Sequence, residues 1–168
     1  MVDVAKSTVL TVADIDIQEL VSLLGRYTLE LVLQQDDEPI TGSFWGDNEA
    51  GIVGKTVYVR GDTPIHSVLH ESCHIICMGQ DRRLQLNRDA GGDDLEEAAV
   101  CYLQVVLADC LGAVGRRRLM HDMDAWGYSF RLGSTREWFE RDADDAVEFL
   151  INQCLLTASG EPTFILRR

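Results

Sequence analysis

The sequence contains no apolar run that approaches the roughly 20 residues needed by a membrane-spanning helix. Residues 1–6 lack the basic and apolar regions of a secretory signal peptide. The 168 residues include 46% hydrophobic and 26% charged residues, a balance typical of globular proteins with a core of their own. Internal repeats and low-complexity segments are also missing. We therefore expect a cytoplasmic protein with a single domain, residues 1–168, and no membrane partner.

The sequence also lacks any C-x-x-C pair, and its cysteine count is odd. Both features argue against a disulfide framework and against a zinc site made of cysteines. We expect the cysteines to be small buried side chains in a reducing compartment. They are Cys73, Cys77, Cys101, Cys110 and Cys154.

Basic residues are scarce, since 15 Lys and Arg face 28 Asp and Glu, for a formal net charge of −13. Most of such a surface repels phosphate groups, which excludes a nucleic-acid partner. The dense basic cluster in the sequence, residues 116–118, is expected to cap the end of the preceding helix. The net charge does not identify a partner or an oligomeric state.

Periodicity of the apolar residues predicts an α+β fold, with a small sheet of about three strands followed by helices. Residues 27–33 alternate with period 2 as a strand with one buried face, and a polar loop is expected over 79–92. Residues 116–133 carry no clear pattern. The predicted strands are 27–33, 40–45 and 56–59, and the predicted helices are 14–25, 64–78, 93–111 and 134–156.

The segment His70-Glu71-Ser72-Cys73-His74 is the clearest functional signal in the sequence. Residues four apart lie above one another on a helix, so the imidazoles of His70 and His74 can converge on one ion. Glu71 is rotated away by one residue, which lets its carboxylate reach a water activated by that ion. This is the physical basis of the H-E-x-x-H motif, and it predicts a metal site with Glu71 as general base.

A catalytic site usually takes a third protein ligand, and the helix at 93–111 offers several acids. Glu96 lies at the edge of its apolar face, and an inward glutamate needs a positive partner. Glu97 is in line with Gln104, on a side that is expected to be exposed. Glu96 is therefore the preferred third ligand, with Glu97 and His121 as alternatives.

Other polar residues have weaker assignments. His66 stands one turn before His70, and we expect an exposed first-turn histidine that borders the site at most. Cys77 is expected to serve packing. A donor for the charge that develops in a transition state is expected among Tyr128, His121 and Tyr102, which the sequence does not rank.

These residues resemble the zincin-like metallopeptidases in the gluzincin arrangement, in which a glutamate helix follows H-E-x-x-H. The helix Glu96 to Tyr102 is similar to the E-x-x-A-N/D-x-x-F segment of the small IrrE/ImmA-type metalloproteases, with Val100 in place of the Asn or Asp. The resemblance implies a small mixed sheet packed on the two helices. It also implies His70, His74 and Glu96 as metal ligands, with the hydrogen bond of the Asn or Asp missing or supplied elsewhere.

A second, partial resemblance is to the elongation factor P hydroxylases, over residues 27–105. It rests on residues 36–40, the strand at 56–60, the H-E-x-x-H helix, and Gly79, Arg82 and Arg83. That family is thought to hold iron on the same helix. The segment at 87–92 differs from the family, and residues beyond 112 have no counterpart in it.

These observations favour a metal-dependent hydrolase of the metallopeptidase type that acts on a peptide or protein. The cofactor is one divalent metal, with zinc expected and iron as the alternative, because imidazole and carboxylate bind both. The alternative functions are an iron-dependent protein hydroxylase and a non-catalytic metal-binding domain of zincin fold.

Overall fold

The computed structural model describes residues 8–168, and within this range the chain forms seven α-helices and one three-stranded sheet. This confirms the α+β class. A short 3₁₀ turn at Val12–Asp14 precedes the first helix. The helices are α1 Ile17–Arg26, α2 Ile65–Cys77, α3 Gln80–Leu84, α4 Asp94–Ala108, α5 Gly115–Trp126, α6 Thr135–Arg141 and α7 Asp144–Asn152, and the strands are β1 Glu30–Leu33, β2 Gly51–Val53 and β3 Thr56–Val59.

The sheet is mixed, with strand order β1-β3-β2. β1 pairs in parallel with β3, and β2 pairs in antiparallel with β3 across a tight turn at Gly54. Val57 and Val59 of the central strand are fully buried. Because β2 and β3 both contact α2, the sheet forms the layer on which this helix rests.

Of the three predicted strands, the first and the third are present, and the prediction of the second is wrong. β1 is shorter than the predicted strand at 27–33, and β3 matches 56–59. Residues 40–45 form turns instead of a strand, and β2 lies between residues 45 and 56, where no strand or helix was predicted. The chain bends sharply here, since Gly42 has φ +69° and a Cβ on Gly51 would lie 1.9 Å from the Thr41 carbonyl oxygen.

The helices that carry the candidate site lie close to their predicted positions. Residues 64–78 contain α2, and residues 93–111 contain α4, whose N-terminus is capped by Asp93 accepting from the Glu96 amide at 2.9 Å. The predicted helix 14–25 corresponds to α1, which starts three residues later. The predicted loop at 79–92 contains the short helix α3.

The C-terminal part differs more from the prediction. Residues 116–133, which carry no clear sequence pattern, contain most of α5, which ends at Gly127 with φ +108°. The predicted helix 134–156 is two helices, α6 and α7, with the break at residues 142–143. At this break Asp142 has φ −137°, outside the helical region, and its carboxylate pairs with Arg131.

The core is one cluster of buried apolar side chains around α2 and α4. Among the described elements these two helices share the most extensive contact. All five cysteines are free thiols. Cys73, Cys77 and Cys101 are buried as expected, but the expectation of burial is wrong for Cys110 and Cys154, which are exposed. No helix within residues 8–168 is long and apolar enough to cross a membrane.

Candidate metal centre

His70 and His74 converge on one point beside α2. Their Nε2 atoms are 3.2 Å apart, and the two rings stand nearly perpendicular with centroids 4.7 Å apart. Both residues lie one helical turn apart on a helix of which most residues are buried, so packing fixes the direction of the rings. The structure therefore brings the two predicted ligands together.

Glu97 of α4 completes a triangle with the two histidines. Its Oε1 atom lies 3.0 Å from Nε2 of His70, and its Oε2 atom lies 3.1 Å from Nε2 of His74. Two imidazole nitrogens and one carboxylate thus face a common centre across the interface between α2 and α4.

The position predicted for Glu96 beside the histidines is wrong. Glu96 is buried on another side of α4, where both of its oxygens accept from Nη1 of Arg82 at 2.8 and 2.9 Å, and Arg167 approaches to 3.5 Å. A buried carboxylate does need a positive partner here, but the partner is an arginine. His121, the other alternative, has a side chain that is 72% exposed and contacts Asp122 instead.

The geometry of the three residues fits a divalent cation. Ligand atoms 2.0–2.1 Å from a tetrahedral ion lie about 3.3 Å from one another, and the observed separations are 3.0–3.2 Å. Two further groups are close to this donor set. Glu71 has an atom within 4.8 Å of those of His70 and His74, and Cys101 has one within 4.8 Å of those of His70 and Glu97.

Gln104 orients His70 from the opposite side of the ring. Its side-chain oxygen lies 2.7 Å from Nδ1 of His70, and its amide nitrogen donates to the His66 carbonyl at 3.2 Å. Because an amide oxygen only accepts, Nδ1 carries a proton, and in the neutral imidazole this leaves the lone pair of Nε2 for a bound ion. Gln104 is fully buried, contrary to the expectation of an exposed side, and sequence reasoning missed its role.

His74 has no equivalent support. Its Nδ1 atom is buried and makes no hydrogen bond within residues 8–168. Val100, at the position where the IrrE/ImmA-type pattern has Asn or Asp, is fully buried and has no polar side-chain atom. Of the two histidines, His70 therefore has a hydrogen-bond partner at Nδ1, which is Gln104 and not residue 100.

Glu71 is placed to act on a molecule in the cleft. Its side chain is only 6% exposed, yet it lines the open space beside the histidines and makes no hydrogen bond or ion pair in the described part of the chain. Burial raises the pKa of this carboxyl group above its usual value, against the opposing effect of His70 and His74.

The pKa shifts of Glu97 and His70 favour a positive charge between Glu97 and the two histidines. Burial raises the pKa of Glu97, but the hydrogen bonds and charges of His70 and His74 outweigh it and hold that pKa well below its usual range. Burial lowers the pKa of His70, whereas its neighbours Tyr128, Cys101 and Glu97 raise it, and the net direction is upward.

Of the three candidate donors, Tyr128 is the one that lines the cleft. Its ring centroid is 5.8 Å from that of His70, and its hydroxyl lies 3.2 Å from Nδ1 of His66. Tyr102 instead stacks on Phe139 with centroids 4.4 Å apart. The expectation of an exposed His66 is wrong, because this residue is 1% exposed beneath the site.

Two clefts meet at the candidate site and share Trp45, His70, Glu71 and Glu97. The first, called the aromatic cleft below, has a volume of about 320 Å³ and is completed by Glu49, Trp126, Gly127 and Tyr128. The second, the loop cleft, has a volume of about 260 Å³ and is completed by Phe44, His74 and residues 88–92. Open space therefore extends from the histidines in two directions.

Comparisons with known proteins do not identify a relative of this chain. No family model matches the chain, and no significant match is found among curated proteins or among solved structures.

Proposed function

We propose that this protein is a metal-dependent hydrolase of the metallopeptidase type. His70, His74 and Glu97 hold one divalent ion, with zinc the expected metal, and Glu71 is the general base. The order of elements supports a relationship to the zincins, since a small mixed sheet precedes an H-E-x-x-H helix and the acid comes from the next long helix.

The proposal is carried by one observation. Two imidazole nitrogens and the two oxygens of the Glu97 carboxylate, from two helices, lie 3.0–3.2 Å apart beside an unpaired carboxylate, and this arrangement opens on a cleft instead of being sealed. Three protein ligands with an open position are typical of catalytic zinc sites. The two clefts that meet here leave room for a chain on both sides of the bond to be cleaved.

The residues have distinct tasks in the hydrolysis of a peptide bond. A divalent ion at the triangle supplies Lewis acidity, which brings the pKa of a water molecule toward about 7. Glu71 accepts the proton of that water at its carboxylate and returns it to the leaving amine. The hydroxyl of Tyr128 donates to the carbonyl oxygen as that atom gains negative charge.

Metal analysis of neighbouring glutamate variants tests the ligand set. After purification with zinc and removal of loosely bound ions, the wild type should retain about one equivalent, and His70→Ala and Glu97→Gln should lose it. Glu96→Gln is the matched control, because Glu96 adjoins Glu97 in sequence but pairs with Arg82. Retention of metal by Glu97→Gln with loss in Glu96→Gln would overturn this assignment.

The catalytic assignment is tested by Glu71→Gln in zinc-loaded protein incubated with a peptide library. Turnover should fall by more than about a hundredfold while the metal content stays at one equivalent, because the amide cannot take up the proton. A wild-type protein that holds zinc and cleaves no member of the library contradicts the peptidase activity.

An iron-dependent protein hydroxylase is the second candidate, because two histidines and one carboxylate are also the ligand set of non-haem iron(II) oxygenases. Aerobic and anaerobic metal analysis, combined with an oxygen-consumption assay, separates the two. Iron as the retained metal, with substrate-dependent oxygen uptake, would replace the hydrolase proposal; zinc without oxygen uptake supports it.

A further inference from the structure

We propose that the aromatic cleft is a subsite for a basic side chain, Arg or Lys, of the substrate. The subsite is formed by the carboxylate of Glu49 together with Trp45, Trp126 and Tyr128. This proposal adds a class of substrate to the proposed function. It depends on that function only for which bond of the substrate is cleaved.

Glu49 is held in a fixed orientation at the wall of this cleft. Its Oε1 atom accepts from Nε1 of Trp126 at 2.9 Å, and its Oε2 atom accepts from Oγ of Ser67 at 2.9 Å. Ser67 is itself fixed, since its hydroxyl oxygen accepts from the Ala50 amide at 2.9 Å. Neither contact brings a positive charge, so the negative charge of the carboxylate is oriented but not neutralised.

The charge around the cleft is one-sided. The described residues that line it include three carboxylates, those of Glu49, Glu71 and Glu97, and no Lys or Arg. Glu97 faces the histidines, and Glu71 belongs to the reacting centre. Glu49 is therefore the carboxylate left to attract a charged group of the substrate, and the group that complements it is a cation.

The remaining wall of the cleft is aromatic, which also suits a cation. Trp45 is 70% exposed at the mouth and lines both clefts, and Trp126 and Tyr128 lie beside Glu49 and His70. The negative faces of aromatic rings attract ammonium and guanidinium groups, while the rings cover the apolar stem of a long side chain. A simple anion finds neither kind of contact here.

The loop cleft differs from the aromatic cleft in the charges of its lining residues. It is lined by Arg88 as well as Asp89, so basic and acidic groups are both present. The two sides of the candidate centre are thus unlike, and we expect the basic side chain on the side of Glu49.

Matched ligands isolate the charge of the side chain. The zinc-loaded full chain is titrated by calorimetry with acetyl-arginine hydroxamate and with acetyl-citrulline hydroxamate, which has the same size but a neutral end group. Acetohydroxamate reports on the metal alone. We expect the arginine ligand to bind about tenfold more tightly than the citrulline ligand.

Four variants assign that preference to the cleft. Glu49→Gln keeps the size of the side chain, and we expect the arginine-to-citrulline ratio to fall to about one. Asp47→Asn removes an equal charge from the same loop outside both clefts, and its ratio should stay at the wild-type value. Trp45→Leu should lower the ratio about threefold and Trp45→Phe should restore it; this exposed position tests the subsite without loss of core packing.

The outcomes distinguish the two proposals. Equal affinities for both ligands in the wild type, or an unchanged ratio in Glu49→Gln, overturn the subsite even where acetohydroxamate binds. A second pair, acetyl-arginine amide and acetyl-citrulline amide, needs no metal. Preference for the arginine amide, with no binding of any hydroxamate group to the metal, would uphold the subsite and contradict the metal centre.

Discussion

The side-chain oxygen of Gln104 lies 2.7 Å from Nδ1 of His70, across the contact between α4 and α2. The same amide donates to the backbone of α2 at the His66 carbonyl. Both polar ends of a fully buried glutamine are therefore used to fix one imidazole. This contact makes Gln104 a positioning residue of the candidate centre.

Gln104→Leu should weaken zinc binding about 10- to 100-fold, because His70 loses the acceptor that sets its tautomer and orientation. Gln104→Glu should keep affinity within a few fold, since a carboxylate oxygen also accepts. Competition with a chromophoric chelator measures both constants. Equal affinity in wild type and Gln104→Leu would contradict the positioning role, provided that circular dichroism shows both proteins folded.

Substitution of Cys101 tests whether the metal centre has an open coordination position or a fourth protein ligand. Its thiol is buried, with the sulfur within 4.8 Å of ligand atoms of His70 and Glu97. If the position facing the cleft is open, Cys101→Ala retains one equivalent of metal, and cobalt-substituted wild type shows no thiolate charge-transfer band. Loss of metal in Cys101→Ala, together with such a band, would favour a four-ligand site in a non-catalytic domain.

Gly92 tests the contact between the wall of the loop cleft and α4. It has φ +98°, and a Cβ there would lie 2.0 Å from Oε2 of Glu96. Gly92→Ala should lower the free energy of unfolding by about 3 kcal/mol, because backbone strain adds to displacement of a buried carboxylate from its arginine. Gly160→Ala is the control for strain alone, since its φ is +86° and no atom lies within 4 Å. Equal losses in the two variants, measured by urea unfolding, would show that the close approach is unimportant.

The buried hydroxyl of Tyr27 is expected to lower the free energy of unfolding. The side chain is buried, its oxygen makes no hydrogen bond in the described part of the chain, and burial raises its pKa above the usual value. Tyr27→Phe should raise the free energy of unfolding by about 1 kcal/mol at neutral pH.

The effect of pH on Tyr27 has a definite sign. Because burial raises the pKa in the folded state, the unfolded state releases the hydroxyl proton first as the pH rises. Ionisation of this group therefore has no effect on stability well below about pH 10, where an exposed tyrosine titrates, and lowers stability above that pH. Tyr27→Phe should lose less stability between about pH 9 and 11 than wild type. Tyr58→Phe, at a half-buried position in β3, is the control; an identical alkaline loss in all three proteins would contradict the prediction.

The sequence predicted that His70 and His74 lie together with Glu71 beside them, but not that Glu97 is the acid that faces the two histidines, and the reason is physical. The prediction for α4 assumed that its apolar face marks the inside. In the structure α4 is buried on most sides. Gln104 is fully buried against α2, whereas Glu97, whose side chain is 49% exposed, reaches His70 and His74 from the rim of the cleft. Glu96 is buried as well, but its partner Arg82 comes from α3, a helix that the polar composition of 79–92 did not predict.

Periodicity was also insufficient for short elements. β2 has three residues and starts at a glycine, so no alternation precedes it. The break between α6 and α7 falls at residues 142–143, where the sequence has neither glycine nor proline to mark it. Long helices such as α2 and α4 were predicted to within a few residues because the sequence signals for them are local.

The polar side of α4 has a consequence for the detection of distant relatives. Glu97, Cys101 and Gln104 fall at spacings of four and three residues on one helix, opposite the H-E-x-x-H turn. A compound pattern, H-E-x-x-H followed after 22 residues by E-x-x-x-C-x-x-Q, describes the contact between the two helices by the residues that face each other. Genomes can be screened with that pattern for chains whose overall similarity is too low to align.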